Sequence, residues 1–178
     1  MTPGDSVRVH AEERLYSGPI FDLRRSRLTL PSGREQDLVV VEHPGAVCIA
    51  PVDAQGRLLV VRQYRHAVKD WTLELPAGRL EEGETPLAAA RRELEEETGH
   101  RAGEWTSLGA LLAAPGFCSE RLHLFLARDL QAVGEGALAP DPDEEIECLW
   151  RWPAELVNET DDAKTLVAAY RLLAERAP

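Results

Sequence analysis

The run from Gly78 to His100, GRLEEGETPLAAARRELEEETGH, constrains this chain more than any other stretch. It opens on a glycine turn and passes into a helix. Thr85 and Pro86 supply a hydroxyl N-cap followed by proline at the first helical position, where a missing N–H is no loss. Gly99 ends the helix, because glycine accepts the left-handed conformation after a last turn. Leu87, Ala90 and Leu94 recur at helical spacing and form an apolar stripe. Glu93, Glu96 and Glu97 stand three and four apart, so their carboxylates emerge from neighbouring points on another face. Like charges at that spacing destabilise a helix. Either water screens them, with Arg91 and Arg92 as counterions, or a hard cation sits among them, since such ions take oxygen ligands.

The rest of the composition narrows the choice. A chain of 178 residues is long enough for one domain with a proper core. Its net charge of -11 makes it a poor partner for nucleic acid, whose phosphates attract basic surfaces. A small phosphorylated substrate is compatible with that charge if cations neutralise both sides. Cys48, Cys118 and Cys148 are widely spaced and contain no CxxC pair, so reduced, mostly buried thiols are expected. The first twenty residues contain no apolar signal core and no later stretch reaches the length of a membrane span. A cytoplasmic protein that avoids membranes is the expectation.

Read in order, residues 1–42 form a β arm. Phe21, Leu23, Leu28 and Leu30 lie in one extended segment, Pro31-Ser32-Gly33 breaks it, and Leu38 to Val41 returns. Arg24, Arg25 and Arg27 require one face to be wet or to meet an acidic partner. Such an arm has little core of its own and must pack on the main domain or a second subunit. Ala46 to Val52 and Leu58 to Val61, joined by Asp53-Ala54-Gln55-Gly56, read as a buried hairpin. Leu73 to Pro76 is a short strand leading to the glycine turn. After the helix, strands are expected at Leu108 to Ala113, His123 to Ala127 and Ile146 to Trp152. Asp129 to Glu145 reads as one long loop, a length usually tied to function. Pro153 starts a short helix. Asp161 or Asp162 caps a last one, with Leu166, Tyr170 and Leu173 as its apolar stripe. Strands with interspersed helices predict an α/β mixed sheet with helices on its faces.

Gly78, Glu84, Arg92, Glu93, Leu94, Glu96, Glu97 and Gly99 fall at the spacing of the Nudix box, Gly-x5-Glu-x7-Arg-Glu-U-x-Glu-Glu-x-Gly-U, with U bulky and aliphatic. The chain therefore resembles the Nudix hydrolase family over roughly residues 45 to 175. One position departs, His100 at the final aliphatic, which is a packing position rather than a ligand. Ala114-Pro115-Gly116-Phe117-Cys118-Ser119-Glu120 resembles the S-P-G-x-x-x-E element of the ADP-ribose pyrophosphatase branch, with alanine for serine. Arg62-Gln63-Tyr64-Arg65 resembles that branch's R-Q-x-R segment.

The resemblance implies an α/β/α sandwich at 43–178 and an N-terminal arm at 1–42 that crosses to a second subunit in a homodimer. It implies Mg2+, with Mn2+ as a substitute, held by Glu93, Glu96, Glu97 and the Ala77 carbonyl. Gly78, Glu84, Arg92 and Gly99 become the framework, while Glu81, Glu82 and Glu95 read as solvated surface. Substrate contacts fall to Arg65, whose planar guanidinium suits phosphate oxygens, and to Pro115, Gly116 and Glu120. Ile20 or Phe21 either meets the adenine or belongs to the core. The general base is expected on the loop before the last strand, at Glu144, or with its task shifted to Glu145 or Asp143. The expected reaction is hydrolysis of ADP-ribose to AMP and ribose 5-phosphate. The alternatives are another nucleoside diphosphate derivative (a GDP-sugar, a flavin or dinucleotide pyrophosphate) and a nucleotide-sensing module without catalysis.

Overall fold

The computed structural model describes residues 6–134, 138 and 145–175. Contacts divide the chain into two units, Met1–Gly45 with Leu111–Leu122, and Ala46–Ala110 with His123–Pro178.

In the first unit, β1 (Arg8–Ser17), β2 (Asp22–Thr29) and β3 (Glu35–Glu42) form an antiparallel sheet in that order. The Pro31-Ser32-Gly33 turn joins β2 to β3, with Gly33 at φ +83°, a left-handed conformation that glycine adopts without a steric penalty. β1 is a strand of its own, beyond the single hairpin the apolar pattern suggested, and the chain turns between Gly18 and Phe21. Every residue of β1 is exposed. The arginines of β2 meet acids of the neighbouring strands: Arg24 with Glu42 at 2.7 Å and Glu12 at 3.4 Å, Arg25 with Glu13, and Arg27 with Asp37. The basic face thus finds its acidic partners within its own sheet. Residues 111–122 join this unit where Val41 donates to the Phe117 carbonyl (2.8 Å) and accepts from the Ser119 N–H (2.9 Å).

In the second unit, β4 (Ala46–Pro51) is buried along its whole length. Then come β5 (Leu58–Arg65), β6 (Asp70–Glu74), β7 (Ala77–Arg79) and α1 (Pro86–Thr98). β8 (His100–Leu112) and β9 (Arg121–Ala132) carry the chain out to the 111–122 segment and back. β10 (Glu147–Arg151), α2 (Pro153–Glu159) and α3 (Ala163–Glu175) complete the unit. One sheet runs β7-β4-β9-β8 and another β10-β5-β6.

Alternation along the strands explains the layering, since successive side chains of a strand point to opposite faces. Cys48, Ala50 and Val52, with Leu124 and Leu126 of β9, pack with Leu156 of α2 and Ala168, Ala169 and Leu172 of α3. Val47 and Ile49, with Phe125 and Ala127, pack with Ala89, Ala90 and Leu94 of α1. A strand buried on both faces between helices is the centre of the expected α/β/α sandwich.

Three expectations need correction. β4 and β5 are not a hairpin. β4 already has neighbours on both edges, β7 and β9, so β5 joins the other sheet, and only a bridge between Val52 and Leu58 links the two strands. The stripe of α3 is Thr165, Ala168, Ala169 and Leu172, while Tyr170 is 58% exposed. The small side chains let the helix lie close on β4, a signal that counting large apolar residues misses. Finally, β9 continues to Ala132 through what read as loop, and β8 begins at His100.

Asp162 caps α3 by accepting the Thr165 N–H (3.0 Å), and the fully buried Thr165 hydroxyl donates to Asp162 (2.6 Å) and accepts the Leu75 N–H (2.8 Å). Thr165→Val keeps the shape but strands that buried N–H, so urea unfolding should register a loss of about 1–3 kcal/mol. A loss within error would mean that Leu75 finds another acceptor.

Candidate active site

The approach to α1 is fixed by contact. Ala77–Arg79 is a short strand paired with Ala46–Cys48 rather than a free turn. A Cβ at Gly78 would overlap the carboxylate of Glu93, so glycine lets the strand backbone press against the helix's acidic face. The Thr85 side chain accepts the Ala88 N–H (3.3 Å), Pro86 opens the helix, and Gly99 closes it at φ 64°. His100 is half-buried. Its Nδ1 donates to the Thr98 carbonyl (2.7 Å) and its ring meets Trp150 edge-on, which is packing.

Arg92 organises the acidic face. Nε and Nη2 form a fork on Glu84 (3.1 and 3.0 Å), Nη2 also reaches the Arg79 carbonyl (3.0 Å), and Nη1 bonds Glu93 (2.6 Å) and Glu96 (2.9 Å). Those are the five N–H groups a guanidinium owns. The hydrogen bond with Glu84, and then, against burial, those with Glu93 and Glu96, raise the arginine's pKa. The same bond lowers that of Glu84. Glu93 and Glu97, one turn apart, are 9% and 7% exposed, and Glu97 accepts the Ala77 N–H (3.2 Å). Ala77 is thereby placed against the carboxylate beside which its carbonyl was expected to act.

Among the described residues, no three His, Cys, Asp or Glu side chains are gathered into a ready metal cage. Arg92 lies between Glu93 and Glu96. The donor set is nonetheless all oxygen, largely buried, and carries three negative charges against one guanidinium. That excess suits a hard divalent cation, so the residues fit the ion the sequence implies.

Arg65 ends β5 with Nε and Nη2 bidentate on Glu74 (2.8 and 3.0 Å). Glu74 is 3% exposed and also accepts from Thr72 and Lys164 (both 2.5 Å).

Residues 41–173 match the family model described as NUDIX domain. The chain belongs to the Nudix family. It is 40% identical over 139 residues to "ADP-ribose pyrophosphatase" of Bacillus subtilis, covering 78% of this chain and 75% of that one. It is 44% identical over 125 residues to "ADP-ribose pyrophosphatase" of Mycobacterium tuberculosis, covering 70% and 60%. A solved structure titled "Crystal structure of ADP compounds hydrolase" matches with TM-score 0.81 at 23% identity, over 96% of this chain and 93% of that one, and shows the same fold.

The other residues singled out for the Nudix site are spread over both units. In the first unit, Ile20 is 55% exposed and lines a cleft of about 400 Å³ with Phe21, Asp22, Glu42 and His43. Neither Ile20 nor Phe21 is core. Pro115 and Gly116 are exposed, and Glu120 is half-buried with an oxygen 3.8 Å from Nδ1 of His43. In the second unit, Glu145 is exposed, while Glu144 and Asp143 lie outside the described residues. Glu81 and Glu82 are exposed as expected, but Glu95 is not. It is 6% exposed, takes both arms of Arg101 (2.6 and 2.7 Å) and accepts the Leu138 N–H (3.2 Å). Its helical position faces the start of β8 rather than water, which charge counting cannot foresee. All three cysteines are free, though only Cys48 is buried.

Sequence reasoning missed Glu74 and Lys164. The available signal was a lone carboxylate between Leu73 and Leu75 in an apolar strand. Burial pushes the Glu74 carboxyl up, but hydrogen bonds from Arg65, Lys164 and Thr72, with the lysine's charge, hold it at about 2 against an ordinary 4.5. A depressed folded-state pKa gives stability that is present above the unfolded value and lost as pH falls through the folded one. Unfolding free energy should therefore drop between about pH 4.5 and pH 2. Glu74→Gln should be less stable at pH 7 and should flatten that slope. Parallel profiles for the two proteins would assign the acid sensitivity elsewhere.

Proposed function

We propose that this Nudix hydrolase cleaves the pyrophosphate of ADP-ribose, with water, to AMP and ribose 5-phosphate. The observation that carries this reading is the acidic face of Glu93, Glu96 and Glu97, with Glu93 and Glu97 buried and Glu93 and Glu96 held by Arg92. The names of the relatives at 40% and 44% identity support the choice of substrate. Magnesium, with manganese as a substitute, is the proposed cofactor, held by Glu93, Glu96, Glu97 and the Ala77 carbonyl. Bound there, the ion supplies Lewis-acid neutralisation of phosphoryl oxygens and acidifies a bound water.

The chain's own residues do the rest. Arg65, oriented by its fork on Glu74, binds a phosphate, and Arg92 holds the carboxylates in position. Glu144, or Glu145 in its place, accepts a proton from the attacking water. One phosphorus gains the water oxygen and the bridging oxygen leaves with the other phosphate. Pro115, Gly116 and Glu120 shape the substrate side, and Ile20 lies against the adenine. A panel of nucleoside diphosphate derivatives with product identification tests this reading. ADP-ribose should be turned over fastest, only with the divalent ion, and give AMP. A GDP-sugar, flavin or dinucleotide turned over far faster overturns the substrate. Binding without cleavage overturns the enzyme in favour of a sensing module. Glu97→Gln should fold normally and lose about two to three orders of magnitude in kcat, the size of several kcal/mol of lost charge stabilisation. Activity near wild type would remove α1 from the reaction.

The working form we propose is a cytoplasmic homodimer joined through the N-terminal arm. Supporting it, Val7, Val9, Leu15 and Tyr16 are all exposed on or beside β1, more apolar surface than one strand ordinarily leaves to water. Sedimentation should find a dimer, and the double variant Val9→Glu with Leu15→Glu should sediment as a monomer. An unchanged dimer would place the interface elsewhere.

A further inference from the structure

His43, in the first unit, is a polar side chain to which the proposed reaction gives no task. The side chain is 10% exposed, and the backbone N–H donates to the Ser119 hydroxyl (3.0 Å). Gly45 sets the ring, because its N–H donates to Nδ1 (3.1 Å). A backbone N–H can only donate, so Nδ1 turns its lone pair to Gly45. The nearest Glu120 oxygen, 3.8 Å from that nitrogen, is beyond hydrogen-bond reach. The proton of this tautomer therefore sits on Nε2. Nε2 has no hydrogen-bond partner among the described residues, and it is not sealed from water. It is a donor held ready for a visitor.

The surroundings narrow what that visitor is. His43 lines the cleft of about 400 Å³, with Ile20, Phe21 and Pro44 as apolar wall and Asp22 and Glu42 as its acids. Both acids are already engaged. Asp22 accepts the Ser17 hydroxyl (2.8 Å) and lies 3.4 Å from Arg14, and Glu42 pairs with Arg24 (2.7 Å). No lysine or arginine lines the cleft, so it lacks the cations that bind phosphate. What it offers is an apolar wall and one N–H donor, the complement of a flat heterocycle with an acceptor nitrogen. Adenine has its acceptors in the ring, because its exocyclic amino group donates. We propose that His43 binds the adenine of the substrate, its Nε2–H donating to one ring nitrogen while Ile20 lies against the face of the base. This rests on the reading of the substrate as ADP-ribose with its adenine at Ile20.

The test measures calorimetric affinity, with magnesium present, for ADP and for three analogues in which N1, N3 or N7 of the base is replaced by C–H. Wild type should bind one of the three roughly fivefold to tenfold more weakly than ADP, the size of one neutral hydrogen bond. His43→Phe keeps a flat ring and loses the donor. It should bind ADP weaker by about the same factor and no longer discriminate against that analogue. His43→Gln, whose amide nitrogen can take the place of Nε2, should keep the discrimination, which a role in packing would not predict. A wild type that binds all four compounds alike, or a His43→Phe that keeps every preference, overturns the proposal. If His43→Phe does not fold, His43→Asn, whose amide oxygen can still accept the Gly45 N–H, is read in the same way. If neither folds, the nitrogen resonance of Nε2 in wild type decides. It should move with ADP and not with the weak analogue, and equal movement with both overturns the proposal. Hydrolysis of ADP-ribose is followed alongside. Cleavage without discrimination removes the role of His43 alone, discrimination through His43 without cleavage removes the hydrolase reading alone, and the absence of both removes both.

Discussion

The saturated guanidinium of Arg92 is the interaction on which the acidic helix depends. Three glutamates on neighbouring turns would push one another apart, and two of them are too buried for water to screen. One arginine answers Glu84, Glu93 and Glu96 together and spends a further donor on the Arg79 carbonyl, so the strand, the turn and the helix share a single hub. An ammonium has three donors and no fork, and could not hold this arrangement. Burial of Glu93 and Glu97 speaks against a simply solvated acidic face. Solvated carboxylates have no need of a cation with every donor engaged.

A second constraint is the double-sided burial of β4. Every residue from Ala46 to Pro51 is inside, and Val47 to Ala50 pack alternately with α1 and with α3. The result is a rigid central strand that pairs with the segment delivering Gly78 to the helix. The overlap that a Cβ at Gly78 would produce shows how closely that delivery is set. Precision at the carboxylates therefore comes from the core, one layer away, as well as from the arginine.

Much of this was legible in the residues. The helix, both its caps and its buried Ala90 and Leu94 follow from local chemistry, because N-caps, αL glycines and helical spacing are short-range effects. The α/β class follows from the order of the elements. What could not be read was long-range. The partner of β4 depends on which strand reaches its edge, and a short turn between two apolar runs pointed wrongly to β5. Small residues on α3 mark its buried face only once a sheet lies beneath them. Glu74 and Glu95 are buried because cations arrive from other elements, Lys164 from 90 positions away along the chain. Periodicity reports which face of an element is apolar, but not what will later cover a charge.

The place of β4 in its sheet also bears on how the molecule comes into being. Its neighbour β9 begins some seventy residues later in the chain, and Val52 bonds to Ala127 across that gap. Closing so long a loop is slow, and its entropy must be met before the pairing gives anything back. During synthesis the early apolar run at 46–52 must therefore wait, unpaired on that side, until β9 has emerged. Once the sheet closes, the amides of β4 belong to the class that exchanges with solvent only through global opening. The strand that is made early is the one whose burial is completed late.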